Sequence, residues 1–212
     1  MRKWALASLL QLALAWGFSA QAQVLKSAST LSPGSLMISV APVYVFDAAS
    51  NSTFLFLAQA AVGLVKDWDL VFTAGWGPGS NMVPYVGGRV EAPLAPDQEG
   101  QPGVAFGLGV HWGYAAGLPI HTDSTGTGVV SVDTVLILSK GVGSFVAHAA
   151  LGFQFVVPAN EPDPVYAQGI ISIGGQYLFT PHISLMAEAG FNAARSTDLG
   201  RYLTVAFVYY AL

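Results

Sequence analysis

The stretch GVAFGLGVHWGY (103–114) decides the fold. At a period of two, one side carries Val104, Phe106, Leu108, Val110 and Trp112, and the other carries Ala105, Gly107, Gly109, His111 and Gly113. Successive side chains of a strand point to opposite faces. One face is therefore bulky and apolar, and the other is nearly bare apart from a single imidazole. The arrangement fits a strand whose bulky side meets lipid while its small side looks into a narrow barrel.

Working outward from this stretch, ten alternating runs end at turn residues. They cover residues 34–47, 53–65, 69–77, 82–92, 103–114, 128–139, 144–157, 165–179, 182–193 and 201–212. Facing follows from the alternation. In run 182–193, Ile183, Leu185, Ala187, Ala189 and Phe191 point to lipid, leaving Ser184, Met186, Glu188, Gly190 and Asn192 inside. In run 144–157, Phe145, Leu151, Phe153 and Phe155 point out and His148, Gly152 and Gln154 point in.

Composition leads to the same class. Only 9% of the 212 residues are charged, against about 25% in a soluble globular protein. No segment after the first 22 residues runs 18 apolar residues unbroken, which excludes spanning helices. A soluble secreted β-sandwich or lipocalin-like carrier is the alternative, and it would need polar outer faces. Cysteine is absent, which excludes disulfides, thiol chemistry and thiolate metal sites.

The first residues, MRKWALASLLQLALAWGFSAQAQ, have a basic start, an apolar run from Trp4 to Phe18 and the small-x-small site Ala20-Gln21-Ala22. Residues 1–22 are predicted to be a cleaved secretory signal. Residues 23–33 are expected to be a short, unstructured periplasmic segment, and residues 34–212 the barrel. Beyond residue 22, six basic groups face twelve acidic ones, a balance that argues against nucleic acid as a partner.

The connections alternate in character. KDWD (66–69), KGVG (140–143) and TP (180–181) are tight, whereas residues 114–128, 158–164 and 194–200 are longer and polar. Outer-membrane barrels have short periplasmic turns and longer outside loops. Ten strands satisfy this parity, with eight as the alternative count, because the Pro-rich connection APLAPDQEGQPG (92–103) is long for the short side. Aromatic residues gather near the run ends as candidate interfacial girdles: Phe46, Trp76, Trp112, Tyr114 and Tyr166 at one rim, Trp68, Tyr177, Phe179 and Tyr209 at the other. The predicted class is all-β, a single antiparallel transmembrane β-barrel in the outer membrane of a Gram-negative-type bacterium.

The segment QYLFTPHISLMAEAGF (176–191), followed by a final alternating run, resembles the last hairpin of small bacterial outer-membrane barrels of the OmpA-like and opacity-type porin group. The resemblance implies insertion by the barrel assembly machinery, outer-membrane lipid as the surrounding partner and no catalytic motif.

Few ionisable groups lie within the runs: Arg89, Glu91, Asp133 and Glu188, with His111 and His148. A charge facing lipid at the midplane would cost roughly 2–4 kcal/mol, so these residues, with Gln154, are predicted to line the lumen. Arg89 with Asp133 and Glu188 would line a pore for small solutes or close it as a salt-bridged plug. His121 and Asp123, in HTDSTG, are the weak catalytic candidates for the alternative of a hydrolase acting at the extracellular rim. The pair resembles the His-carboxylate couple of omptin-type surface proteases, with that family's order reversed. The four histidines show no close ligand spacing, so no metal and no cofactor is expected, and His182 is expected to cap the Thr180-Pro181 turn. The expected function is that of a non-enzymatic barrel, either a narrow pore or a plugged structural and surface-contact barrel.

Overall fold

The structure, a computed structural model, describes residues 27–46, 52–65, 67–76, 85–113, 129–158, 166–193 and 199–211. These form ten strands: β1 (Leu36–Phe46), β2 (Ser52–Val65), β3 (Trp68–Trp76), β4 (Tyr85–Ala95), β5 (Gly103–Gly113), β6 (Val129–Val142), β7 (Phe145–Pro158), β8 (Tyr166–Leu178), β9 (Ile183–Ala193) and β10 (Leu199–Ala211). Each strand pairs antiparallel with its sequence neighbours, and β1 closes the ring by pairing with β10. There is no helix among the described residues. Strands of 9–14 residues match the span that a tilted transmembrane strand needs, about 9–11 residues.

One end of the barrel carries the start of β1, the end of β10 and the short connections; we call it the terminal end. Its turns are built from local chemistry. Val142 pairs with Phe145 across Gly143 and Ser144, and Gly143 takes φ 61, the glycine-first pattern of a tight hairpin. The Thr180 hydroxyl accepts the main-chain N–H groups of His182 and Ile183 at 3.1 and 3.0 Å. Thr180, not His182, therefore caps that turn. His182 instead ties the hairpin to β10, its Nδ1 lying 3.0 Å from the Tyr210 carbonyl oxygen and its own carbonyl accepting the Tyr210 N–H.

Two further expectations from sequence are corrected. The connection 92–103 is shorter than expected, because β4 runs on to Ala95 and a Gln98–Gln101 bridge folds the rest into a turn. The register slips between Pro93 and Ala95, where proline brings no N–H to the ladder. This turn is tied to the next: Asp97 accepts from Lys140 Nζ at 2.6 Å and from the Gly141 N–H at 2.8 Å. The Lys140 ammonium, with the Gly141 N–H, holds the Asp97 carboxyl below its ordinary value.

The segment before β1 is the second correction. Residues 27–35 are ordered by contacts inside the barrel mouth. Ser32, Pro33, Gly34 and Ser35 form a reverse turn closed by the Ser35 N–H to the Ser32 carbonyl at 2.9 Å, with Gly34 at φ 83. Proline followed by a left-handed glycine is the type II pattern. The turn sends the chain back into the lumen, where Ser27 and Ala28 are buried. Gly63 allows this approach, since a Cβ there would collide with the Ser32 carbonyl.

The two faces differ as the alternation demands. Outward side chains such as Phe72, Leu108, Ile173 and Phe207 are exposed, and Trp68, Trp76, Tyr177 and Phe179 stand exposed near strand ends. Inward side chains are buried. Met37, Ala61, Val71, Met186 and Val208 form one apolar cluster in the lumen, and Ala105, Val135, Ile137 and Ala150 pack with Ala28 in another.

Candidate functional site

The lumen also holds the ionisable groups. The inward parity of each strand carries them there: Asp69 on β3, Arg89 and Glu91 on β4, His111 on β5, Asp133 on β6, His148 on β7, Glu188 on β9 and Tyr202 on β10, all buried. A charge removed from water is tolerated only when it is paired or hydrogen-bonded. Asp69, Glu91 and Glu188 meet this demand with hydrogen bonds, and Asp133 through its close contact with His111.

Glu91 receives Arg89 from the same strand two residues away, Nε at 2.8 Å and Nη2 at 2.7 Å on Oε1. Asp133 meets His111, Oδ1 to Nδ1 at 2.5 Å. Glu188 is held from two sides, by His148 Nε2 at 3.1 Å on Oε2 and by the Tyr202 hydroxyl donating at 2.6 Å to Oε1. Asp69 accepts the Leu31 N–H at 3.1 Å on each oxygen. Amide-hydroxyl bonds extend the network: Gln154 Nε2 donates to Ser131 Oγ, and Gln176 Nε2 to Ser184 Oγ, each at 2.7 Å.

The small residues of the lumen make room for these side chains. Gly87 is directly paired with His111 and lies beneath its ring. Gly174 lies beneath His148, and Gly190, paired with Tyr202, beneath the phenol. A Cβ at Gly109 would stand 2.7 Å from Asp133 Oδ1, and one at Gly107 2.8 Å from Arg89 Cδ. The bare face of 103–113 is thus a floor on which side chains from the flanking strands lie flat. Interior positions of small barrels are filled by side chains in this way.

All seven residues assigned to the lumen from sequence, Arg89, Glu91, His111, Asp133, His148, Gln154 and Glu188, lie there in the structure. Six of them form three pairs, Arg89 with Glu91, Asp133 with His111 and Glu188 with His148, and Gln154 bonds Ser131. His121 and Asp123 lie outside the described residues. Three participants escaped the sequence reading. Asp69 shares the inward parity of Val71 and Thr73, Tyr202 that of Thr204, and SPGS (32–35) is itself a turn signal. Among the described residues no group of three or more His, Asp or Glu could hold a metal ion.

An outer-membrane channel from Pseudomonas putida F1 superposes with a TM-score of 0.55 at 10% identity, over 90% of this chain and 100% of that one. The fold is that of an outer-membrane β-barrel. Weaker likenesses include the protease OmpT of Escherichia coli (TM-score 0.42, 9% identity, 87% of this chain and 100% of that one) and the N-terminal barrel domain of Pseudomonas aeruginosa OprF (0.36, 12%, 84% and 100%). No protein-family model matches the chain, and no curated protein matches it in sequence. What this chain holds in common with the channel is its fold; the paired lumen is a property of its own residues.

Proposed function

We propose that the chain is a non-enzymatic outer-membrane barrel whose lumen is closed by its own side chains, acting as a structural and surface-contact element of the envelope rather than as an open pore. The observation that carries this reading is that all four lumen carboxylates have partners inside the barrel while remaining almost inaccessible, Asp133 and Glu91 at 0% and Glu188 at 1%. A water-filled channel would leave such groups hydrated, whereas a dry interior requires this pairing. The apolar outer face supports residence in lipid, and secretion by residues 1–22 with insertion by the barrel assembly machinery is part of the same proposal. The connections 47–51, 77–84, 114–128, 159–165 and 194–198 leave the end opposite the termini, which in an outer membrane is the outside. Specificity for contacts would reside there.

The test is electrical conductance of the refolded chain in a planar lipid bilayer, beside an Asp133→Ala/Glu188→Ala variant. The closed reading expects silence from the wild type and current from the variant, whose histidines lose their partners. Discrete current steps from the wild type would overturn it.

A further inference from the structure

The segment 27–35 crosses the terminal mouth on few attachments. The Ala28 N–H reaches Ser139 Oγ on β6 at 3.0 Å, the Leu31 N–H reaches the Asp69 carboxylate on β3, and Gly63 on β2 accepts the Gly34 N–H at 2.8 Å and donates to the Ser35 carbonyl at 3.0 Å. One sizeable apolar side chain, Leu31, packs on the cluster containing Val71 and Met186. Ser29, Ser32 and Pro33 are exposed. A strand of the wall has a hydrogen-bonded neighbour along each edge, but this strap has no such ladder. Segments with few buried apolar contacts and few backbone bonds open at far lower free energy than the strands around them.

Beneath the strap the mouth carries two carboxylates and one guanidinium, Arg89 on Glu91, and so a net negative charge. Asp69 and Glu91 stand directly opposite each other across β3 and β4, both inward. Among the described residues the lumen as a whole carries four carboxylates against one guanidinium. A low-dielectric cleft lined by one sign of charge concentrates ions of the other.

We propose that residues 27–35 are a displaceable plug over the terminal mouth, and that its release uncovers an acidic vestibule which admits cations ahead of anions. The inference rests on the closed-lumen reading but concerns the mouth alone, since the paired middle of the lumen lies beyond the strap. It makes the N-terminal strap the movable part of an otherwise rigid wall.

The chain has no cysteine, so one introduced thiol reports a single place. Val71→Cys lies in the buried cluster on which Leu31 packs, and its modification by methanethiosulfonate reagents is followed in the folded protein, with the heat-dependent shift on a denaturing gel confirming the barrel. With the native strap the thiol should react slowly. In Leu31→Asp, or Leu31→Ser if the aspartate variant does not fold, reaction should speed up on the order of tenfold, the ammonium reagent outpacing the sulfonate several-fold. Equal rates with and without the Leu31 substitution would overturn the plug. Protection of Val71→Cys in both backgrounds, with Ala28→Cys exposed in the variant, would mean that the strap leaves and the mouth stays shut; the proposal then fails while a silent bilayer record keeps the closed lumen. Equal rates for the two reagents would overturn the acidic vestibule. Current through the wild type would instead strike the closed-lumen reading.

Discussion

His111 lies across Gly87, its directly paired neighbour on β4, so closely that a Cβ on Gly87 would fall within the imidazole ring. That contact keeps the ring flat against the wall with Nδ1 on Asp133. Gly87→Ala must lift the ring off its carboxylate, and overfilling a packed interior costs about 1–3 kcal/mol. The next residue, Gly88, faces outward with its nearest atoms at 3.8 and 3.9 Å. Gly88→Ala should leave stability unchanged or raise it by up to about 1 kcal/mol, since alanine loses less backbone freedom. Denaturant unfolding of the two variants in one lipid or detergent system reads the difference; equal effects would remove the glycine floor from the account.

Glu188 anchors two side chains, and the two should be separable. Tyr202→Phe deletes one hydrogen bond to a carboxylate and is expected to cost about 1.5–3 kcal/mol. Glu188→Ala takes a shared partner from both His148 and Tyr202 at a buried position, a loss of about 3–5 kcal/mol by the behaviour of broken buried pairs. The order Glu188→Ala worse than Tyr202→Phe is the expected result of unfolding titrations. The reverse order would mean that the phenol holds the lumen independently of the carboxylate.

Depth should govern the outer face. Leu108 lies in the middle of β5 and points outward, whereas the outward Leu64 is one residue from the end of β2. Leu108→Arg is expected to cost about 2–4 kcal/mol in folding from denaturant into vesicles, and Leu64→Arg only about 0–1 kcal/mol. Similar penalties at both sites would displace the apolar band from the position the strands give it.

The Asp97–Lys140 clamp should respond to acid. Because Lys140 lowers the Asp97 pKa in the folded state, the clamp contributes fully above the unfolded carboxyl value of about 3.9. Its contribution is lost as pH falls through the lower folded value. The carboxylate is exposed, so the effect is small and screened by salt. Asp97→Asn should abolish this part of the acid dependence while leaving neutral-pH folding intact, as followed by unfolding midpoints between about pH 6 and pH 2; an unchanged acid dependence would place the sensitivity elsewhere.

What the sequence determined by itself is local and periodic. The alternation in 103–114 set which side chains of β5 face lipid, and the same rule placed Glu188, His148 and Gln154 inside, because a strand turns each successive residue through half a revolution. Ten strands followed from turn chemistry at their ends. Only the tertiary structure decided which lumen groups meet. Arg89 and Glu91 share a face two residues apart, so their pairing could be read from the chain, but His148 and Glu188 are 40 positions apart on strands that are not paired with each other. Their meeting depends on register and on closure of β1 against β10. The glycine floor has the same origin: Gly109 looks like an empty position on β5 until pairing sets Arg89 on one side of it and Asp133 on the other. The strap was missed for a related reason, since SPGS signals a turn but not its direction, and that direction is decided by the room at Gly63 and the carboxylate of Asp69. Periodicity is a property of neighbouring bonds, whereas register, closure and the filling of a lumen arise only when distant strands share one interior.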